Sequence, residues 1–341
     1  MTFSSPPPRL DSESFSFYLT PGDFGVASLA NDLAHGLTLR GPDGPAKVRS
    51  WRSKGMDVAA LFDREGYRHT PGDIDPTSWR KDQLEAGASS LLTPGRWIPF
   101  DKDDSSTLTR AVAAESCLAN EVDVDPLLAI DHRWFKNEPA MVVDVLASVG
   151  RPLTLLVAHR ADPLADLAVL ETLRHLIAAT TDVSFLRTDH GGVGLAANGA
   201  RHASIGLISS HRHLVPIGGG SGGGKRNDYS PRVFLPEFLD WFTINTIAGW
   251  SLVDPSWLVC DLPCCGGRAL GRLFDPDLKQ EVTPHNLHAL ASVANGVLDA
   301  DPTDRMLEFI ERCEKASDRY DLPGMRGPKR GSQLDNWVLG V

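Results

Sequence analysis

The feature that most constrains the fold of this chain is an alternation of short apolar segments with longer amphipathic ones, visible from about residue 91. Buried parallel strands are nearly continuous apolar runs, and the helices that connect them carry apolar residues at helical spacing. The alternation therefore predicts an α/β protein with a parallel sheet covered by helices. Predicted strands span residues 97–100, 125–131, 153–157, 183–186 and 203–208, and predicted helices span 107–120, 139–149, 164–179 and 193–200.

The flanking regions add further elements. Alternating apolar and polar residues at 14–19 predict a first strand, and residues 26–39 predict a helix with a return segment. Apolar runs near the middle and end of the chain predict a short helix at 57–62, an aromatic helix at 234–248, a last strand at 249–253, and helices at 288–298 and 306–316.

Ionisable residues stand directly after four of the predicted strands. In a (β/α)8 TIM barrel the carboxyl ends of successive strands form one face, which carries the active site. A doubly wound sheet would instead place its ligand at a single switch point. The sequence therefore predicts a (β/α)8 barrel with a functional rim formed by Asp131, His132 and Arg133, by His159 and Arg160, by Arg187, Asp189 and His190, and by His211, Arg212 and His213.

Composition narrows the classes of function. The 341 residues carry a net charge of -10, which argues against broad, non-specific binding to nucleic acid, so any such surface must be local. No apolar run reaches the roughly 20 residues of a membrane span, and five cysteines without regular spacing do not suggest a disulfide scaffold. We expect a cytoplasmic protein with no membrane partner and a loose, proline-rich leader over residues 1–13.

Three of the five cysteines lie close together near the C-terminal end. Cys260, Cys264 and Cys265 are followed by His285, with His288 as a substitute, and a Cys3His set is a common tetrahedral zinc site. Gly266 and Gly267 would let the backbone turn around a metal. A buried trio of small apolar residues, or a redox pair, is the alternative interpretation.

This segment resembles the zinc signature of the tRNA-guanine transglycosylase superfamily, which includes the queuine and archaeosine tRNA-ribosyltransferases. That signature is Cys-x-Cys-x-x-Cys, an arginine-rich helix, and then His-Asn-Leu. Cys260, Cys265 and residues 285–287 match it, and the middle cysteine would fall at Leu262, near Cys264. Arg268, Leu270 and Arg272 match the helix. The resemblance, which covers about a tenth of the chain, implies Cys260, Cys265 and His285 as ligands of a structural Zn2+.

The resemblance also implies an architecture and an activity. It implies a TIM barrel over residues 14–255, followed by a C-terminal zinc-binding subdomain with a basic tail over 256–341. The implied reaction exchanges guanine for a 7-deazaguanine base, as in queuosine formation, in tRNA or DNA. The implied partners are the nucleic acid, the free base and a second subunit, in a homodimer or in a heterodimer with a transglycosylase-like chain.

Base exchange needs one carboxylate that attacks the ribose and a second that grips the base edge. Asp131 resembles the base-reading aspartate, although a cap of the following turn explains it equally well. Asp189 is the first candidate nucleophile and Asp254 the second. The family's Pro-Thr-Arg stretch after the nucleophile and its Ser-Gly-Gly-Phe segment are not recognisable, so a non-catalytic subunit that binds nucleic acid or a catalytic partner stays open.

Other polar residues complete the predicted site. His159, Arg187 and His211 at strand ends, with Lys225 and Arg226 in the glycine-rich loop, suit an anionic ligand. That loop is not a P-loop, because Arg226 stands where Ser or Thr would hold magnesium. His211 and His213 offer a second alternative, a metal-dependent amidohydrolase with Asp131 or Asp189 as the third ligand.

Overall fold

The computed structural model describes residue 10 and residues 13–180, 182–218, 231–253, 258–321 and 330–340. The chain forms two compact units, Met1–Gly218 and Gly219–Val341. This division lies earlier than the predicted boundary at 255/256. The reason is packing, because Val233, Phe238, Phe242 and Trp250 share one apolar core with Cys260 and Cys265.

The first unit contains a sheet of eight strands, and every paired neighbour is parallel. The strand order is β3-β2-β1-β8-β7-β6-β5-β4, which brings the last strand beside the first. This is the order of an eight-stranded barrel opened between β3 and β4, which are not paired in the described part of the chain. The strands are β1 Ser14–Leu19, β2 Leu37–Arg40, β3 Ala60–Asp63, β4 Arg96–Ile98, β5 Leu127–Asp131, β6 Leu153–Ala158, β7 Val183–Thr188 and β8 His202–Gly206.

Helices connect these strands. Asp23, Asp75, Asp131 and Asp166 each accept a backbone N–H at a helix start, the usual role of an N-cap aspartate. The helices are α1 Phe24–Leu33, α2 Gly44–Arg52, α3 Pro76–Ala86, α4 Ser106–Val122, α5 His132–Asn137, α6 Pro139–Ala147, α7 Leu167–Ala179, α8 Gly191–Ala197 and α9 Ser209–Arg212. The α/β alternation predicted from residue 91 onward is therefore confirmed.

The predicted helix at 57–62 is wrong. Its apolar residues belong to the buried strand β3, which pairs in parallel with β2 through Leu37 and Ala60, Leu39 and Phe62. A short apolar run has no periodicity that separates a strand from a helix. Parallel pairing with β2 makes this segment a strand.

One face of the sheet combines an apolar cluster with a chain of buried polar groups. Residues from five strands, including Tyr18, Leu61, Ala129, Leu156 and Leu186, form a single core cluster. Along β1, Ser14 and Ser16 share the face of Tyr18, because side chains alternate along a strand. They enclose His202, whose Nδ1 lies 2.9 Å from Ser14 Oγ and whose Nε2 lies 2.9 Å from Ser16 Oγ. Burial lowers the pKa of His202 to about 3, with nearby Arg201 adding to the effect.

His202 should make folding sensitive to acid. Its pKa in the folded state lies below the ordinary value of about 6.5, so as pH falls the unfolded chain binds the proton first. Its stabilising contribution is complete above about pH 6.5 and is lost toward pH 3, by about 1.4 kcal/mol per pH unit. We expect His202→Gln to reduce the loss of unfolding free energy between about pH 7 and pH 5 by about 2 kcal/mol in urea titrations.

The exposed His175 provides the control for this experiment, since it lies on α7. His175→Gln should leave the pH dependence of unfolding as in the parent chain. A parent and a His202→Gln variant that lose stability equally on acidification would contradict the assignment.

The second unit is mostly helical, with two small hairpins. β9 Arg232–Leu235 pairs antiparallel with β10 Asp240–Thr243, and β11 Val259–Cys260 pairs with β12 Arg268–Ala269. The helices are α10 Ile244–Val253, α11 Val282–Leu298, α12 Arg305–Tyr320 and α13 Ser332–Leu339. None of the helices in the described ranges is long and apolar enough to cross a membrane.

Two predicted elements of this unit are wrong. Residues 234–248 form a hairpin and the start of α10 rather than one helix, and residues 249–253 continue α10 rather than forming a strand. Aromatic residues favour strands, and Phe234 pairs across the hairpin with Trp241, their rings 5.1 Å apart. This segment is so uniformly apolar that its sequence pattern does not distinguish a hairpin from a helix.

Candidate functional site

Arg187 is the centre of a buried polar cluster at the carboxyl ends of β1, β3 and β7. The pairing of β7 with β8 shifts register between Phe185 and Thr188, and Arg187 has a positive φ of 57° there. A bulge of this kind redirects a side chain. Its Nη1 donates to the hydroxyl oxygen of Tyr67 at 3.1 Å and to Glu65 Oε1 at 3.3 Å. Its Nη2 donates to the carbonyls of Ser210 and His213.

Asp63 forms the acidic side of this cluster. Tyr18 and Tyr67 both donate their hydroxyls to Asp63 Oδ2, at 2.5 and 2.8 Å, and the backbone N–H of Glu65 donates to Oδ1. Asp63 is fully buried, and burial raises its pKa, although the tyrosine hydroxyls and Arg187 oppose this. Tyr18, Asp63, Glu65, Tyr67 and Arg187 therefore form one connected hydrogen-bond cluster at the carboxyl ends of the strands.

Asp189 lies two residues further on and faces a second cation. Its Oδ2 is 3.0 Å from Arg212 Nε and 3.7 Å from His213 Nε2, and its Oδ1 accepts the backbone N–H of His190 at 2.7 Å. Burial opposes ionisation, but Arg212 and His190 outweigh it and hold the pKa of Asp189 well below its usual range. Asp189 is thus an ionised carboxylate held by a buried arginine.

The contacts of Asp131 are those of a cap. Its Oδ1 accepts the backbone N–H of Arg133 at 3.0 Å, and Arg133 Nε and Nη2 reach its two oxygens at 2.9 and 2.8 Å. The bidentate pair lowers the pKa of Asp131 against the effect of burial. Beside it, the rings of His132 and His159 lie 4.2 Å apart. Of the two predicted roles, capping is the one that accounts for these contacts.

The two histidines of the His-x-His pair point to different partners. His211 Nε2 lies 3.0 Å from Thr20 Oγ1, whereas His213 Nε2 faces Asp189. Burial lowers the pKa of each imidazole to about 4. Among the described residues, metal-binding side chains converge in a group of three at one place only, and that place contains neither histidine. The arrangement therefore offers no support for the amidohydrolase alternative.

Gly206 fixes the turn that carries these groups. A Cβ at Gly206 would lie 2.3 Å from the carbonyl carbon of His211 and 2.5 Å from the backbone nitrogen of Arg212. No side chain can occupy that space, so α9 packs directly on the end of β8. Three residues predicted for the site, Asp254, Lys225 and Arg226, lie outside the described residues.

The group of three converging side chains is Cys260, Cys265 and His285, whose ligand atoms all lie within 4.8 Å of one another. His285 Nδ1 is 3.7 Å from Cys260 Sγ and 3.4 Å from Cys265 Sγ. The β11–β12 hairpin supplies the thiols and α11 the imidazole. Gly266 and Gly267 have φ values of 59° and 75°, which favour glycine, as the turn between the strands requires.

Backbone contacts orient His285 toward the sulfurs. Its Nε2 donates to the carbonyl of Phe234 at 2.9 Å, which leaves the Nδ1 lone pair facing the thiols. Histidines that bind metals commonly hold their other ring nitrogen in this way. Asn286 accepts from the backbone nitrogen of Phe234 and donates to the carbonyl of Arg232, both at 2.9 Å, while Leu287 is fully buried. The histidine and the asparagine of this stretch thus have defined hydrogen bonds, and the leucine is part of the buried core.

The chemistry of the donor set fits a zinc ion. The nearby imidazole of His285 and a hydrogen bond from Arg272 outweigh burial and lower the pKa of Cys265 to about 6, whereas burial raises those of Cys260 and Cys264 to about 12. Cys264 Sγ lies 3.7 Å from Cys265 Sγ but outside the group of three, as does the predicted substitute His288. The structure therefore brings together three of the four predicted ligands, with Cys264 next to them.

No family model and no curated protein matches this chain. Among solved structures, a mutant tryptophan synthase α-subunit from Pyrococcus furiosus aligns at 12% identity, with a TM-score of 0.40, over 59% of this chain and 92% of that one. The tryptophan synthase α2β2 complex from the same organism aligns at 14% identity, with a TM-score of 0.38, over 58% and 88%. At such scores the alignments carry no argument about function, and the fold described above rests on this chain's own strand order.

Sequence reasoning missed Tyr18, Asp63, Glu65 and Tyr67 of the strand-end cluster. Asp63 does carry a signal, because it directly follows the apolar run 58–62, as the predicted rim residues follow theirs. Because a helix was predicted at 57–62, Asp63 was not recognised as a residue at the end of a strand. The two tyrosines resemble ordinary core residues in the sequence.

Proposed function

We propose that this chain is a tRNA-guanine transglycosylase-like protein that exchanges guanine for a 7-deazaguanine base in a nucleic acid. The observation that carries the proposal is the convergence of Cys260, Cys265 and His285, because the histidine is separated from the cysteines by 25 and 20 residues. These are the ligands that the resemblance implies. The barrel-like strand order of the first unit agrees with the same family.

Cys260, Cys265 and His285 would hold Zn2+, and Cys264 is the nearest fourth ligand. The ion would act structurally, cross-linking a short hairpin to a helix. The chain's own residues prepare the set, since Phe234 fixes the imidazole and Arg272 donates to Cys265 Sγ at 3.3 Å. Glu281 in turn accepts from Arg272 at 2.9 Å.

Asp189 is the proposed nucleophile, since it is ionised and lies at the end of β7. One carboxylate oxygen would bond to the ribose C1′ as the bond from C1′ to guanine breaks, and guanine would leave after taking up a proton. The incoming base would then attack C1′, releasing Asp189 and giving up its own ring proton. Arg212 would keep the carboxylate ionised between turnovers.

A second candidate function is a non-catalytic subunit, which binds nucleic acid or a catalytic partner as part of a dimer. The specific observation in its favour is that the candidate aspartates are already engaged. Asp131 uses both oxygens for Arg133, and Asp189 contacts Arg212 through one oxygen and His190 through the other. Attack by Asp189 on the ribose would compete with these contacts.

The two functions differ in whether a covalent adduct forms. We expect the purified chain, incubated with guanine-containing tRNA or DNA and a 7-deazaguanine base, to give an adduct that survives denaturing electrophoresis. Asp189→Asn should abolish the adduct and the exchange of labelled guanine, because an amide is a poor nucleophile. Exposed Asp144→Asn, with the same chemical change on α6, should have no effect.

An adduct that persists in Asp189→Asn would remove Asp189 as the nucleophile. Absence of both adduct and guanine exchange in the parent chain, with retained binding of nucleic acid or of a transglycosylase-like subunit, would favour the second function. Circular dichroism of each variant separates loss of chemistry from loss of folding.

A further inference from the structure

Arg272 makes a direct contact with one of the candidate zinc ligands. It lies in the 3-10 helix Leu270–Phe274, which directly follows the β11–β12 hairpin, and its side chain is 14% exposed. Its Nη2 donates to Cys265 Sγ at 3.3 Å. Because a guanidinium keeps its positive charge in proteins, Arg272 places a permanent cation beside this sulfur.

Three further hydrogen bonds fix the orientation of Arg272. Its Nη1 donates to the carbonyl of Ala269 at 3.1 Å, and its Nε and Nη2 donate to Glu281 Oε2 at 3.3 and 2.9 Å. Glu281 lies immediately before α11, the helix that supplies His285. The guanidinium therefore links the hairpin with the thiols to the helix with the imidazole, and it cannot turn away from Cys265 Sγ without breaking these bonds.

Such a contact matters once a metal ion is bound. Cysteine binds zinc as a thiolate and histidine binds it as a neutral imidazole, so two thiolates balance the charge of Zn2+ and a third, from Cys264, would leave a net charge of minus one. A guanidinium N–H on one sulfur offsets negative charge and restrains the position of that sulfur. Loss of a group that hydrogen-bonds a metal ligand typically lowers metal affinity by about 10–100-fold.

Arg268 offers an internal comparison, because it shares Glu281 with Arg272. Its Nη2 donates to Glu281 Oε2 at 3.1 Å. Its Nε and Nη2 also donate to the backbone carbonyls of Cys265 and Cys264, at 2.8 and 3.1 Å. Within the described residues, the two arginines thus hold the same carboxylate, but only the hydrogen bond from Arg272 reaches a sulfur atom.

We propose that Arg272 is a positioning residue of the proposed zinc site, which holds Cys265 Sγ and offsets its charge while Glu281 holds Arg272. Arg272 does not bind the ion itself, since a guanidinium has no lone pair to offer. The inference rests on the Zn2+ of the proposed function and adds to it a residue that sets how tightly this chain binds the ion.

Zinc affinity and a cobalt spectrum test this role. We expect Arg272→Met to bind one Zn2+ per chain, as the parent does, but about 10–100-fold more weakly in competition with a chelator. Arg272→Lys should recover part of the affinity, because it keeps the charge but not the fork. With Co2+ in place of Zn2+, the sulfur-to-metal charge-transfer band of Arg272→Met should move to longer wavelength, because a thiolate without its N–H donor is easier to oxidise.

Two control variants separate this role from general support of the fold. Arg268→Met should bind Zn2+ more tightly than Arg272→Met and leave the cobalt spectrum as in the parent. Arg312→Met removes an arginine of the same unit that pairs with Glu308 on α12, and it should not change zinc affinity. Glu281→Gln keeps Arg272 but weakens its support, so it should give an intermediate affinity and provides the test if Arg272→Met does not fold.

The outcomes distinguish this inference from the proposed function. Unchanged zinc affinity and an unchanged cobalt spectrum in Arg272→Met, or equal losses in Arg268→Met and Arg272→Met, would overturn the inference alone. A parent chain that binds no zinc would overturn it together with the proposed zinc site. A parent chain without base exchange, whose zinc affinity nevertheless depends on Arg272, would support the inference and count against the proposed reaction.

Discussion

If the proposed zinc site is correct, replacing Cys265 with serine is expected to release its one Zn2+ per chain and to unfold the region around Cys260, Cys265 and His285. Cys265 lies closest to His285 Nδ1, at 3.4 Å, and it receives a hydrogen bond from Arg272 as well. Structural zinc contributes about 10–16 kcal/mol to the folding of small zinc domains, so losing one ligand removes much of that contribution. Elemental analysis and limited proteolysis of the parent and the variant measure both effects.

Other cysteines make this experiment specific. Cys117→Ser, in the first unit and exposed, should retain the metal and the proteolysis pattern. Cys264→Ser tests the fourth ligand, because it should lose zinc only if Cys264 completes the set. A parent chain that contains no zinc after purification and does not take it up would contradict the proposed zinc site. It would also remove the main support for the transglycosylase hypothesis.

Arg187→Met is expected to produce the second large effect, a loss of about 3–5 kcal/mol in the unfolding free energy of the first unit. The side chain of Arg187 is 2% exposed and that of Glu65 is 12% exposed. Removing the guanidinium leaves the fully buried Asp63 without its nearby cation, although Glu65 keeps its ion pairs with Arg40 and Arg68. Differential scanning calorimetry should show a melting temperature lower by about 10 °C.

Two further substitutions separate charge from geometry. Arg187→Lys keeps the positive charge but loses the fork that reaches Tyr67 and the carbonyls of Ser210 and His213, so it should recover only part of the stability. Arg110→Met, at an ion pair whose arginine is 68% exposed, should change the melting temperature little. Equal effects of Arg187→Met and Arg110→Met would show that the buried cluster does not stabilise the unit.

Much of the fold was predictable because the chain between residues 91 and 208 is locally consistent. Buried strands such as β5 and β6 are nearly all apolar, and aspartates such as Asp166 mark helix starts. The errors arose where a short apolar or aromatic segment is a strand because it pairs with another strand. β3 at Ala60–Asp63 and the β9–β10 hairpin are strands because of that pairing, which local sequence does not encode.

The candidate site was predictable in part for a similar reason. Arg187, Asp189, His211 and His213 follow strands, and parallel strands end at one edge, so their proximity follows from the fold. The cluster around Asp63 was not predictable, because it depends on the bulge at Arg187 and on tyrosines that resemble core residues. The role of Asp131 could not be chosen either, since a carboxylate's partner is decided by the rotamer of Arg133.

The absence of a side chain at Gly206 sets a boundary for any effort to redesign the candidate site at the carboxyl ends of the strands. A mutagenesis library that includes this position would displace His211 and Arg212 in nearly every member, and its clones would fail for reasons unrelated to chemistry. Diversity is better placed at Thr20, whose side chain is exposed, and at His159, whose side chain is partly exposed. Selection for a new substrate would then sample recognition on an intact scaffold.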